Sequence, residues 1–234
     1  GPDTTEPFKA LEQKHGFFEV AETGWPKMDP LFWDSVYPLH TDSQKPVVLM
    51  TSTFTPRLSA APVLFDTVRK LAAAGKWKWL VNFHPKMDSE TVAAYRGIQD
   101  ENLEFVQTDD VIPLLKAADI MVSDTSSVIS EFLLQARPVV TFQNRAPGPH
   151  LIDIQSPEEL EGAIEYGLTR PGNLISEIRK YADRIHPYRD GRSSLRVLSA
   201  ADSLVKRGRG NLKKKPLNLV RRLKMRRRLG YYWF

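Results

Sequence analysis

The sequence has no cysteine among its 234 residues, which at once excludes a disulfide framework, a thiolate metal centre and a cysteine nucleophile. It also has no uninterrupted apolar run of about 18 residues, the length a bilayer-spanning helix needs. Its N-terminus lacks a charged-then-apolar leader pattern. Gly1-Pro2 has the look of a protease-cleavage scar, so a truncation ahead of it is expected. Several signatures of large enzyme classes are absent too. There is no Gly-x-x-x-x-Gly-Lys-Ser/Thr loop, no Gly-x-Gly-x-x-Gly turn, no His-Glu-x-x-His helix and no Gly-x-Ser-x-Gly elbow. His15, His40, His150 and His186 are scattered without metal-ligand spacing and read as structural or surface residues. Neither a metal nor a cofactor is expected.

What is present is enough to bury a core: 41% of residues are apolar and five are tryptophan, which suits one large or two small domains. The net charge of +5 conceals a split. From Lys206 to Phe234 the chain carries 12 of its 33 basic residues and none of its 28 acids, leaving 21 bases against 28 acids in the body. Such asymmetry fits an acidic binding or catalytic body with a distinct basic appendage, and argues against a uniformly basic nucleic-acid binder.

Residues 7–34 mix short apolar runs with Gly24, Pro26 and Pro30, which predicts a strand over 17–21 and then an irregular connection. From Pro46 onward strand and helix signals alternate. Strands are expected at 47–50, 79–83, 103–106, 120–122 and 138–142. Helices are expected after Ser59 as a cap with Gly75 as the stop, and at 88–95, 111–118 and 126–135. Further helical patterns cover 157–166, 173–185 and 193–206. Alternation with short connections implies parallel β-α-β units and right-handed crossovers, hence a Rossmann-like, doubly wound α/β sheet. Ligands of such sheets bind beyond the carboxyl ends of the strands, so the loops after Met50, Phe83 and Val122 are expected to converge on one crevice.

The strongest local signal is Ser123-Asp124-Thr125-Ser126-Ser127, between a buried strand and a helix. Free amides and hydroxyls at such a turn can hold a diphosphate without metal or lysine. The same residue types are ordinary N-caps, and that alternative stays open. His84, fixed by Pro85 at a strand end, can donate to a phosphoryl oxygen or, protonated, neutralise charge on a leaving group. Thr53 and Arg57 sit in a hydroxyl-rich loop suited to an anion, or form a capped loop with a surface arginine. Glu131, five residues after Ser126, is placed to reach ribose hydroxyls or to lie in solvent.

Taken in order, Thr23-Gly24-Trp25-Pro26-Lys27-Met28-Asp29, Thr53-Phe54, Phe83-His84-Pro85, Ser123-Asp124-Thr125-Ser126-Ser127, Arg137-Pro138 and Asp190-Gly191-Arg192-Ser193-Ser194 resemble the CDP-glycerol glycerophosphotransferases of teichoic acid and capsule synthesis. The likeness covers roughly residues 20–198. It implies one lobe of a two-lobed GT-B architecture, a CDP-linked donor and transfer of a polyol phosphate to a hydroxyl. It further implies His84 as the catalytic histidine of this lobe and Thr125, Ser126 and Ser127 as the phosphate turn. The Trp-His-Gly-Thr-Pro-like motif of the family's other lobe is absent, so the chain is expected to be the second lobe, partnered by a missing N-terminal lobe. Arg57 lies two residues farther from the Thr53-Phe54 pair than the family's arginine.

The expected organisation is a linker and lead-in at 1–45, a nucleotide-diphosphate-binding domain at 46–205 and a basic tail at 206–234. The site residues are His84 as catalytic and Thr53, Arg57, Asp124, Thr125, Ser126, Ser127 and Glu131 as donor-binding. The tail's leucines and its closing Tyr231-Tyr232-Trp233-Phe234 suggest an anionic membrane surface as partner, and with it the inner face of a bacterial cytoplasmic membrane. A UDP-sugar GT-B or 2-epimerase-like enzyme and a non-catalytic nucleotide-binding or membrane-targeting module are the competing classes.

Overall fold

The computed structural model describes residues 1–34, 45–208, 210 and 212–231. Val47-Val48-Leu49-Met50 forms the central strand β1 (Val47–Met50), every residue of it buried. The other strands are β2 (Lys78–Val81), β3 (Leu103–Phe105), β4 (Ile120–Ser123), β5 (Val139–Phe142) and β6 (Ile152–Ile154). All pairings are parallel, in the order β3-β2-β1-β4-β5-β6, with Val48 opposite Trp79 on one side and Ile120 on the other.

Side chains of a strand alternate between the two faces of its sheet, and β1 divides accordingly. Val48 and Met50 join Leu64, Tyr95 and Ile164 in one core layer, under α2 (Ala61–Ala74), α3 (Ser89–Gly97) and α6 (Leu160–Leu168). Val47 and Leu49 join Leu115, Phe132 and Ile178 in the other, under α4 (Ile112–Ala117), α5 (Val128–Leu133) and α7 (Gly172–Ile185). The fold is thus the expected doubly wound α/β sheet covered on both faces.

Three differences from the sequence expectations matter. Residues 17–21 are not a strand: the Val20 amide donates to the Glu12 carboxylate, on the helix α1 (Pro2–His15) that precedes it, and among the described residues the segment contributes no strand to the sheet. Residues 26–32 are not a loose connection. Pro26–Phe32 is a 3-10 helix whose Met28 is fully buried in the second core layer, so it belongs to the domain. The first helix after β1 is not capped by Ser59. Its leading amides, from Ala60 and Ala61, go instead to the Asp124 carboxylate and the Ser52 hydroxyl at 3.0 and 3.2 Å. The remaining helices are α8 (Ser193–Arg207) and, in the tail, α9 (Leu219–Leu229). His40, Tyr232, Trp233 and Phe234 lie outside the described residues.

Candidate functional site

The chain adds β2 and β3 on one side of β1 and then crosses back to add β4 and its successors on the other, so the loops leaving β1 and β4 splay apart. The gap between them is a crevice of about 330 Å³, lined by Thr51 and Ser52, by Asn82, His84 and Pro85, by Thr108 and Asp109, and by Ser126, Ser127 and Glu131. The expected convergence of three loops is present, and the loop after β3 joins it. Asn82 makes that fourth contribution: its buried amide donates to the carbonyls of Val106 and Thr108, at 2.9 and 3.1 Å, and so ties the end of β2 to the exit of β3.

His84 is exposed at the crevice mouth, its ring 4.7 Å from that of Phe54. Its Nδ1 accepts the Lys86 amide at 3.0 Å. In the neutral ring the proton therefore sits on Nε2, which is left as a donor. Ser126 and Ser127 lie in the turn ahead of α5, which begins two residues later than expected, and among the described residues nothing accepts from their amides. Glu131 is 3% exposed and its Oε1 holds Lys27 Nζ at 2.5 Å, while Oε2 is buried with no partner among the described residues.

The other four expected residues do not line the crevice. Asp124 is almost wholly buried, and its carboxylate accepts from Ser52 Oγ at 2.5 Å, Thr53 N at 3.0 Å, Ala60 N at 3.0 Å and Thr125 N at 2.6 Å. With its lone pairs engaged, it is a strut tying the β1 loop to the β4 loop. Thr53 is one end of that strut. Thr125 faces the loop after β5, where its Oγ1 accepts the Arg145 amide at 3.3 Å. Arg57 is exposed on the turn closed by hydrogen bonds from Leu58 and Ser59 to the Thr55 carbonyl and is not among the residues lining the crevice.

A second polar cluster explains the Asp190 to Ser194 segment. Asp29 is buried and accepts from Ser193 N, Ser194 N and Ser194 Oγ, each at 2.8 Å, so it caps α8 from a distant part of the chain. Burial alone would raise this carboxyl, but the bonds from Ser194 and Ser193 outweigh it and hold it below the ordinary Asp value. Gly24 closes over the same cluster. A Cβ there would sit 2.5 Å from Ser193 Oγ and 2.9 Å from His186 Cε1, so only glycine fits. Arg137 is structural as well, donating to the Leu115, Lys116 and Ala118 carbonyls at the end of α4.

Residues 9–146, more than half of the chain, match the sequence model of the CDP-glycerol:poly(glycerophosphate) glycerophosphotransferases. The chain belongs to this family. No curated relative matches it. Among solved structures it is similar to the wall teichoic acid polymerase TagF soaked with CDPG, with a TM-score of 0.64 and 18% identity over 88% of this chain and 55% of that one. It is also similar to the S. aureus MnaA–UDP structure, with a TM-score of 0.59 and 16% identity over 92% of this chain and 61% of that one. A glycosyltransferase from Rickettsia africae follows, at 0.51 and 16% over 74% and 54%. At these identities the likeness establishes the fold, one Rossmann-like lobe of the GT-B kind. The chain spans between half and two thirds of the length of these structures. The family is one of transferases.

The sequence alone had missed Lys27, Asn82, Thr108 and Asp109 as crevice residues. Only Lys27 carried a signal, since it stands in one of the motifs quoted above.

Proposed function

We propose that this chain is the donor-binding lobe of a glycerophosphotransferase, taking a CDP-activated polyol whose polyol phosphate is passed to an acceptor hydroxyl. The observation that carries this is the crevice itself. In a member of this family, unused donors at Ser126, Ser127 and His84 Nε2 and an unused acceptor at Glu131 Oε2 line one crevice beyond the carboxyl ends of β2 and β4. In this reading Ser126 and Ser127 donate to the diphosphate and Glu131 accepts from a ribose hydroxyl. The acceptor oxygen attacks the phosphorus bearing the polyol, the bond to the nucleotide phosphate breaks, and His84 donates to the oxygen on which charge then develops. Removing the acceptor's proton and holding it in line fall to the second lobe. That lobe would also cover the stripe of Leu198, Val205 and Leu204 exposed along α8.

The test is calorimetric titration of CDP, UDP and their glycerol and sugar conjugates. CDP and CDP-glycerol binding supports the reading. A preference for UDP-sugars would move the chain to the epimerase or glycosyltransferase class, and no nucleotide binding would reduce it to a module without this site.

The tail is proposed to rest on an anionic membrane, at the inner face of the bacterial cytoplasmic membrane. Leu217, Leu219, Val220, Leu223, Leu229 and Tyr231 are all at least 60% exposed amid its basic residues, a composition suited to the headgroup boundary. Among the described residues no helix is long and apolar enough to cross a membrane. Co-sedimentation with phosphatidylglycerol vesicles is expected to be salt-sensitive and lost in a chain ending at Val205. Equal sedimentation of both chains would reject the tail as the anchor.

A further inference from the structure

Charge in the crevice is unevenly supplied. Among the described residues lining it, the acids are Asp109 and Glu131, and Lys27 is the one Lys or Arg. A diphosphate carries two negative charges, and placed beside Ser126 and Ser127 it meets two carboxylates and a single fixed cation. Arg57, which the sequence offered for this task, is exposed and is not among the residues that line the crevice.

Lys27 is suited to more than pairing with Glu131. An ammonium has three N–H donors, and Glu131 Oε1 takes one of them at 2.5 Å. The Lys27 side chain remains 56% exposed, on a wall shared with Ser126, Ser127 and His84. Its backbone is held on the far side by fully buried Met28 and by Asp29, which is bonded to Ser193 and Ser194 at the start of α8. The ammonium is therefore delivered to the crevice by a fixed segment. Glu131, from the opposite side, keeps the stem in place.

We propose that Lys27 is the cation of the donor site. Its ammonium binds the diphosphate oxygens while still bonded to Glu131, so residues 26–29 are part of the binding site and Asp29 is the positioning residue behind them. This deepens the proposed function and rests on it. The competing account is a purely structural ion pair fastening the 3-10 helix to α5.

The experiment measures CDP affinity by calorimetry, and displacement of CDP by inorganic pyrophosphate, in the wild-type chain and in Lys27→Ala, Lys27→Arg and Glu131→Gln. Pyrophosphate has no ribose, so it reports on the diphosphate alone. Lys27→Ala is expected to weaken CDP and pyrophosphate by about tenfold, as loss of a charge-assisted bond does. Lys27→Arg is expected to retain most of both. Glu131→Gln leaves the ammonium in place and is expected not to weaken pyrophosphate. CDP affinity unchanged in folded Lys27→Ala overturns the proposal. So does an equal loss of pyrophosphate in Lys27→Ala and Glu131→Gln, which is the signature of a structural pair. If the wild-type chain binds no CDP the proposed function fails first, whereas binding that is indifferent to Lys27 defeats only this inference.

Discussion

Two polar clusters lie within this lobe, the crevice beyond β1, β2 and β4 and the clasp where residues 24–29 meet residues 186–194, and they use the same residue types in opposite ways. In the clasp Asp29 is engaged by both backbone amides and a hydroxyl, and Asp124 beside the crevice is engaged by three backbone amides and a hydroxyl. In the crevice Ser126, Ser127, Glu131 Oε2 and His84 Nε2 keep hydrogen-bonding capacity that the fold does not use. A buried group whose capacity is filled holds structure together, whereas capacity left open in a concave site is available to a ligand. The clasp itself is not wholly filled, since His186 Nδ1 and Ser193 Oγ are buried without partners among the described residues. They sit over Gly24, where no room is left for a ligand.

The largest expected effect breaks the strut. Asp124→Ala leaves Ser52 Oγ and the amides of Thr53 and Ala60 without their acceptor, and is expected to cost about 3–5 kcal/mol of folding stability by chemical denaturation. A loss no greater than that of a surface substitution would remove Asp124 from the structural class.

Asp29→Ala is expected to cost about 2–4 kcal/mol, since it removes the cap of α8 and three hydrogen bonds. It should also weaken CDP binding by moving Lys27, a second readout that a cap alone would not change.

His84→Ala belongs to the other class. In an enzyme carrying both lobes it is expected to lower turnover by about 10²–10³ while the melting temperature stays put. Destabilisation matching the loss of activity would place His84 with the aspartates.

The smallest effect is on pH dependence. His186 is held below its ordinary value of 6.5, first by burial and then by the positive N-terminus, Arg189 and Arg196, against the opposing pull of Asp29. A depressed folded value means that the unfolded chain takes up the proton first. The stability from the neutral ring is therefore full above pH 6.5 and drains as pH falls through the folded value. Denaturation midpoints are expected to fall between pH 7 and 5 in the wild type and to fall less in His186→Gln. Parallel curves would show that another group governs this range.

Much of this fold is legible in the sequence because buried parallel strands are short apolar runs bounded by turn residues, and β1, β4 and β5 stand out for that reason. β6 does not, because Ile152–Ile154 is a three-residue edge strand, only partly buried, after a Pro/Gly-rich loop. α1 was hidden by Pro7 inside it. His84, Ser126, Ser127 and Glu131 could be placed from strand ends and helix starts, which are local features. Asp124 could not be sorted from the serines beside it, since its partners other than the Thr125 amide lie 64 to 72 residues away. Lys27 meets Glu131 across 104 residues, a pairing that only the folded chain reveals.

The central claim is that open hydrogen-bonding capacity marks the donor site, and the Ser126→Ala/Ser127→Ala double variant tests it most directly. Measured side by side, its folding stability is expected to stay within about 0.5 kcal/mol of the wild type while CDP affinity falls by about 1–4 kcal/mol. Unchanged CDP affinity in the folded variant would contradict the account.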